Sequence, residues 1–65
     1  MSQIVEQLKA AMASFEDENQ KFDDGNGAAG TRARKALQEI TKLAKARRAE
    51  ITEVKNSRKE AKLNG

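Results

Sequence analysis

The sequence contains no cysteine, histidine, proline, tryptophan or tyrosine, and its only aromatic residues are Phe15 and Phe22. Without cysteine there is no disulfide, and the redox compartment leaves no mark. Without cysteine, histidine and tyrosine, most nucleophiles, metal ligands and general bases are missing. The remaining carboxylates form no acid–base constellation. The expectation is therefore a protein that is not an enzyme, with no cofactor, no metal and no small-molecule substrate. No apolar run approaches the roughly 18 residues of a membrane span. The N-terminus lacks the basic start and apolar block of a signal peptide. An intracellular, soluble protein with no membrane partner is expected.

Large side chains are also scarce. Hydrophobic residues make up 37% of 65 residues, and a chain this short buries only about 60% of its unfolded surface. A compact globular core is not expected. What the chain has instead is Ala, Lys, Glu, Gln, Arg and Leu, all strong helix formers. The composition suits long helices or coiled coil.

Ser2 is positioned as an N-cap. Beyond it, Met1, Leu8, Phe15 and Phe22 share one heptad position, Ile4 and Ala11 a second, and Val5 and Met12 widen the stripe. That period predicts a helix over about residues 2–23 with one apolar face. Gly25 supplies the left-handed residue that commonly ends helices. Asn26 or Thr31 can cap a second helix. Its seam runs through Ala33, Leu37, Ile40, Ala44, Arg47, Ile51, Val54, Arg58 and Ala61, flanked by Ala36 and Leu43, in alternating steps of 4 and 3. It predicts a helix over about residues 28–62 after a turn at about 24–28.

The expected fold class is all-α: a two-helix antiparallel hairpin with a longer second helix, forming a single domain over residues 1–65. At 1.5 Å per residue the helices measure about 33 and 52 Å, so the first covers the second only to about residue 50. Ile51 and Val54 would lie on an overhang, which is not stable alone. This predicts a homo-oligomer, a coiled coil or helical bundle, with a seam of Leu8, Phe15, Phe22, Leu37, Ile40, Ala44, Arg47, Ile51 and Val54. Arginine at a seam position costs stability but can set register and strand number.

Net charge is +3, but residues 1–30 sum to −4 and residues 31–65 to +7. Such a split points to an acidic partner for the second half, or to pairing between the halves. The hinge Gly25–Lys35 admits both. Glu16, Asp17, Glu18, Asp23 and Asp24 end the first helix, and Arg32, Arg34 and Lys35 open the second. Each group opposes its own helix dipole, and proximity relieves both. Alternatively, a glycine-rich approach to a helix N-terminus followed by arginines can hold phosphate. The Lys-Ser/Thr ending of a P-loop is absent, which argues against a nucleotide site.

Residues 42–62 carry a net +5 over about 30 Å of helix. Phosphate contacts from such a run would be salt-dependent and sequence-indifferent. No aromatic is available there to stack bases. No Asn or Gln cluster reads base edges. The competing readings are a solvated coiled-coil face, with Glu50, Glu53 and Glu60 paired to nearby Lys and Arg, and a membrane-surface helix, which the interleaved glutamates disfavour.

The string Ala28-Ala29-Gly30-Thr31-Arg32-Ala33-Arg34-Lys35-Ala36-Leu37, with Gly25-Asn26 before it and Leu43, Lys45 and Arg48 after it, resembles the linker-histone-like family of small bacterial and phage nucleoid proteins. Phe15 and Phe22 sit where that family's first helix would place core residues, and the resemblance covers roughly residues 10–56. It implies an α-helical protein that binds DNA without sequence preference and compacts it, located in the cytoplasmic nucleoid, or in a virion or host cytoplasm if phage-encoded. It implies Arg32, Arg34, Lys35, Lys42, Lys45 and Arg48 as contacts. The sequence departs from the family in Asp24 and Gly27, where more lysine is expected, and in lacking a long Lys/Ala/Pro-rich tail. Charge along the second helix adds Lys55, Lys59 and Lys62 as candidate contacts. The expected function is thus a non-enzymatic, sequence-nonspecific architectural protein that contacts double-stranded DNA through phosphates. The alternative is a helical assembly module whose charges pair only within and between chains.

Overall fold

A computed structural model describes the backbone of residues 2–64 and the side chains of residues 2–59. It contains two helices, α1 (Gln3–Asp23) and α2 (Gly27–Asn64), and no strand among the described residues. The Ser2 hydroxyl caps α1 by accepting from the amides of Ile4 at 3.1 Å and Val5 at 3.4 Å. Two of the four orphan donors of a helix start are thereby satisfied.

The connection is three residues long. Gly25 has φ of 108°. Its amide donates to the Phe22 carbonyl, and that of Asn26 to the Lys21 carbonyl, both at 3.0 Å. This crossed pair is a Schellman stop, with glycine at its left-handed position. Asn26 then starts the next helix, its Oδ1 accepting from the Ala29 amide at 3.2 Å. Asn26, not Thr31, is the cap, so α2 includes Gly27 and Gly30.

The helices lie side by side and run in opposite directions. Ser2 meets Glu50 at one end, and Glu18 meets Arg32 at the other. The arrangement fits a helical hairpin, drawn out to 58 × 16 × 14 Å. Ala29 (0% exposed), Ala33 (6%) and Leu43 (9%) are the buried apolar residues. With Ala36, Ile40, Arg47 and Glu50, all partly covered, they form a rail in steps of 4 and 3 that faces α1. Against it α1 sets Ile4, Leu8, Ala11 and Phe15, also partly covered.

The seam read from sequence therefore divides. Ala33, Ile40 and Arg47 belong to the inner rail. Leu37, Ile51 and Val54 are each 44% exposed, Phe22 is 51% exposed, and Leu43, read as a flank, is among the buried residues. Steps of 4 and 3 set a helical period but not its phase, and α1 covers the neighbouring rail. Cover ends at Glu50: every residue from 51 to 59 is exposed.

Candidate nucleic-acid interface

The hinge cations have different surroundings. Arg32 donates from Nε to Glu18 Oε2 at 2.7 Å. Lys21 approaches the same Glu18 carboxylate at 3.9 Å and Asp17 at 3.1 Å. Asp24 accepts from Gln20 Nε2 at 3.2 Å. The acidic end of α1 is thus answered across the hinge by Arg32 and along its own helix by Lys21 and Gln20. Arg34 and Lys35 are exposed and have no ion pair among the described residues.

Further along α2, Arg47 Nη1 reaches Glu50 Oε1 at 2.9 Å, and the Ser2 hydroxyl donates to the same oxygen at 2.7 Å. These contacts hold the Glu50 carboxyl below the usual glutamate range, the Ser2 hydrogen bond first and Arg47 second. Arg47, read from sequence as a seam residue, braces this joint between the helices. Lys42, Lys45, Arg48, Lys55 and Lys59 are exposed and unpaired among the described residues. The Lys62 side chain lies outside the described residues. Of the pairings that would neutralise α2 internally, only Arg47–Glu50 is made among the described residues.

Positions 34, 38, 41, 45, 48, 52, 55 and 59 also step by 4 and 3, about half a turn from the inner rail. The occupants are Arg34, Gln38, Thr41, Lys45, Arg48, Thr52, Lys55 and Lys59, all exposed and none acidic. Thr41 donates its hydroxyl to the Leu37 carbonyl at 3.0 Å, and Thr52 to the Arg48 carbonyl at 3.1 Å. Lys35 stands between this row and the next flank, lining one groove with Glu18, Arg32 and Glu39 and another with Thr31, Arg34 and Gln38. Lys42 follows Glu39 by three residues, on the same flank. Read along the sequence, the cations of α2 form one run, which conceals this division. Only the sequence set out at alternating steps of 4 and 3 reveals it.

Among the described residues, no group of three His, Cys, Asp or Glu side chains is placed to hold a metal. No described helix is long and apolar enough to cross a membrane. The structure is that of a small helical rod with an acidic short arm, a basic long arm and cations turned to solvent. The chain matches the family model described as Histone H1-like protein Hc1 over residues 2–57, and it belongs to that family. The family is one of histone-like, DNA-binding nucleoid proteins, structural rather than enzymatic. Neither a curated protein nor a solved structure matches the chain.

Proposed function

We propose that this protein binds duplex DNA without sequence preference, through phosphate contacts made by α2, and helps to compact it. The observation that carries the reading is the row of exposed cations Arg34, Lys45, Arg48, Lys55 and Lys59, unpaired among the described residues, on the long arm of a chain from a histone-like family. An unpaired surface cation gives up little on meeting a phosphate, and the counterions it displaces favour binding. The acidic arm offers the duplex no comparable surface. The nucleoid family implies the cytoplasmic nucleoid as the site of action.

Self-association belongs to the same reading. Among the described residues only Ala29, Ala33 and Leu43 form a buried core, which is thin against an ordering cost of about 1–2 kcal/mol per residue. Met12, Phe22, Leu37, Ile51 and Val54 remain 44–51% exposed. A second copy of the hairpin would cover such residues, and an assembly with several basic arms could hold several duplex segments together. The single-domain hairpin over residues 1–65 is the unit we propose for that assembly.

The test is an anisotropy titration against two duplexes of unrelated sequence, at about 50 and 200 mM salt. Affinity should be similar for both duplexes and fall steeply with salt. No binding at the lower salt would sink the proposal. A strong preference for one duplex would remove its sequence-nonspecific part.

A further inference from the structure

Phosphates can meet α2 on more than one side, and the sides are chemically unlike. On the flank of Lys35 and Lys42, a phosphate approaching Lys35 also approaches Glu18 and Glu39, which line the same groove. On the side turned away from α1, the row from Arg34 to Lys59 presents five cations and no carboxylate. Like charge near a contact opposes it at short range, and low salt sharpens the opposition. The two sides therefore differ most under the conditions in which phosphate binding is strongest.

We infer that the duplex lies along this one side of α2, held by Arg34, Lys45, Arg48, Lys55 and Lys59, and that Arg32, Lys35 and Lys42 do not touch it. The inference rests on the reading that the chain binds duplex phosphates, and it names the face that does so. Arg34 and Lys59 are 25 residues apart, about 37 Å along the helix. That is close to one turn of B-form DNA, about 34–36 Å. The neutral members of the row fit binding without sequence preference. Thr41 and Thr52 have given their hydroxyl protons to backbone carbonyls. Gln38 is then the one side chain in the row with free amide donors for a base edge. The hinge divides along the same line: Arg34 joins the DNA face, while Arg32 closes onto Glu18.

Two triple variants of equal charge change test the assignment. One replaces Lys45, Arg48 and Lys55 with Gln, and the other replaces Lys9, Lys35 and Lys42 with Gln. All six residues are exposed, and far-UV circular dichroism checks that both variants keep their helix. Duplex affinity is measured between about 50 and 200 mM salt. The first variant should lose at least about tenfold at the lower salt, and its log–log salt slope should shrink by about 3, near 0.9 per lost contact. The second should stay within about threefold of the parent. Equal losses in both would show that net charge alone governs binding, and would overturn the assigned face. A larger loss in the second would overturn it as well. A parent chain that fails to bind at all would instead overturn the DNA-binding reading itself.

Discussion

Ser2 and Glu50 are 48 residues apart in sequence, and their side chains meet at 2.7 Å. The Ser2 hydroxyl accepts from two amides of its own helix and gives its single proton to Glu50. One side chain thus caps α1 and fastens its start to α2. Ser2→Ala should lower Tm by about 4–8 °C, corresponding to the roughly 1 kcal/mol of a lost cap in a domain this small. Ser2→Asp is the sharper probe. Aspartate caps as well as serine, yet its carboxylate would face Glu50. Thermal melts should rank it below the parent, and adding Glu50→Gln should restore it. A Ser2→Asp chain already as stable as the parent would show that the Ser2–Glu50 contact does not constrain the hairpin.

The same joint responds to pH. The Glu50 carboxyl is held below the usual glutamate range by the Ser2 hydroxyl and by Arg47. A depressed carboxyl pKa means that the folded state binds its proton less readily than the unfolded state. The stabilisation is fully present above the ordinary glutamate value of 4.5 and is lost as pH falls through the lower folded value. Tm should therefore drop more steeply below about pH 4.5 in the parent than in Glu50→Gln. Parallel Tm curves for the two proteins across that range would remove Glu50 as the cause.

Three glycines crowd the turn, and their replacement by alanine should give different results. Gly25 has φ of 108° and open space around an added Cβ. Gly25→Ala therefore carries only the left-handed backbone penalty, about 1–2 kcal/mol, and should lower Tm. Gly27 has an ordinary φ and equally open space. Gly27→Ala should raise Tm, the gain in stability reaching at most the roughly 1 kcal/mol that separates the two residues in a helix. Gly30 sits beneath Phe22, and a Cβ there would come within 2.6 Å of the ring's Cδ1. Gly30→Ala should lower Tm in the parent but raise it in a Phe22→Ala background, where the ring is gone. Thermal melts of the four chains of that cycle decide the point, and additive effects would mean that the ring does not rest on Gly30.

Much of the local structure was legible because its signals are chemical and short-ranged. Ser2 caps, Gly25 stops and Asn26 restarts, each for reasons contained in a few residues. The meeting of the acidic end of α1 with the basic start of α2 was legible too, because opposed dipoles and charges brought together relieve each other. Its particular partners, Glu18 with Arg32, depend on the rotation of each helix about its axis. That rotation is what the heptad pattern left open. Ala33, Ile40 and Arg47 fit the rail through Leu37 and Ile51 as well as the rail through Ala29, Ala36 and Leu43. Three small alanines in the covered rail, Ala29, Ala33 and Ala36, let the helices approach closely, a packing advantage that a count of apolar residues does not register. The same missing phase hid the acid-free row from Arg34 to Lys59, since a row becomes a face only once the opposite side is known to be covered. The reason for Gly30 is the Phe22 ring, eight residues away across the turn, which no signal local to Gly30 carries.

Leu37 and Ile51 test whether a second copy completes the structure. Each is 44% exposed in the hairpin, and both occupy one heptad position with Ala44. In an isolated hairpin, replacing such residues with Gln should change stability by less than about 0.5 kcal/mol, as surface substitutions generally do. If another copy covers them, each buried side chain contributes about 1.5–3 kcal/mol to the assembly. The double variant Leu37→Gln, Ile51→Gln should then fall to single-chain mass in light scattering at concentrations where the parent is oligomeric. The parent Tm should rise with protein concentration, because association stabilises by mass action, and the variant Tm should not. A parent chain of single-chain mass at about 100 μM, with a Tm independent of concentration, would leave the exposed apolar residues uncovered and remove self-association from the proposed function.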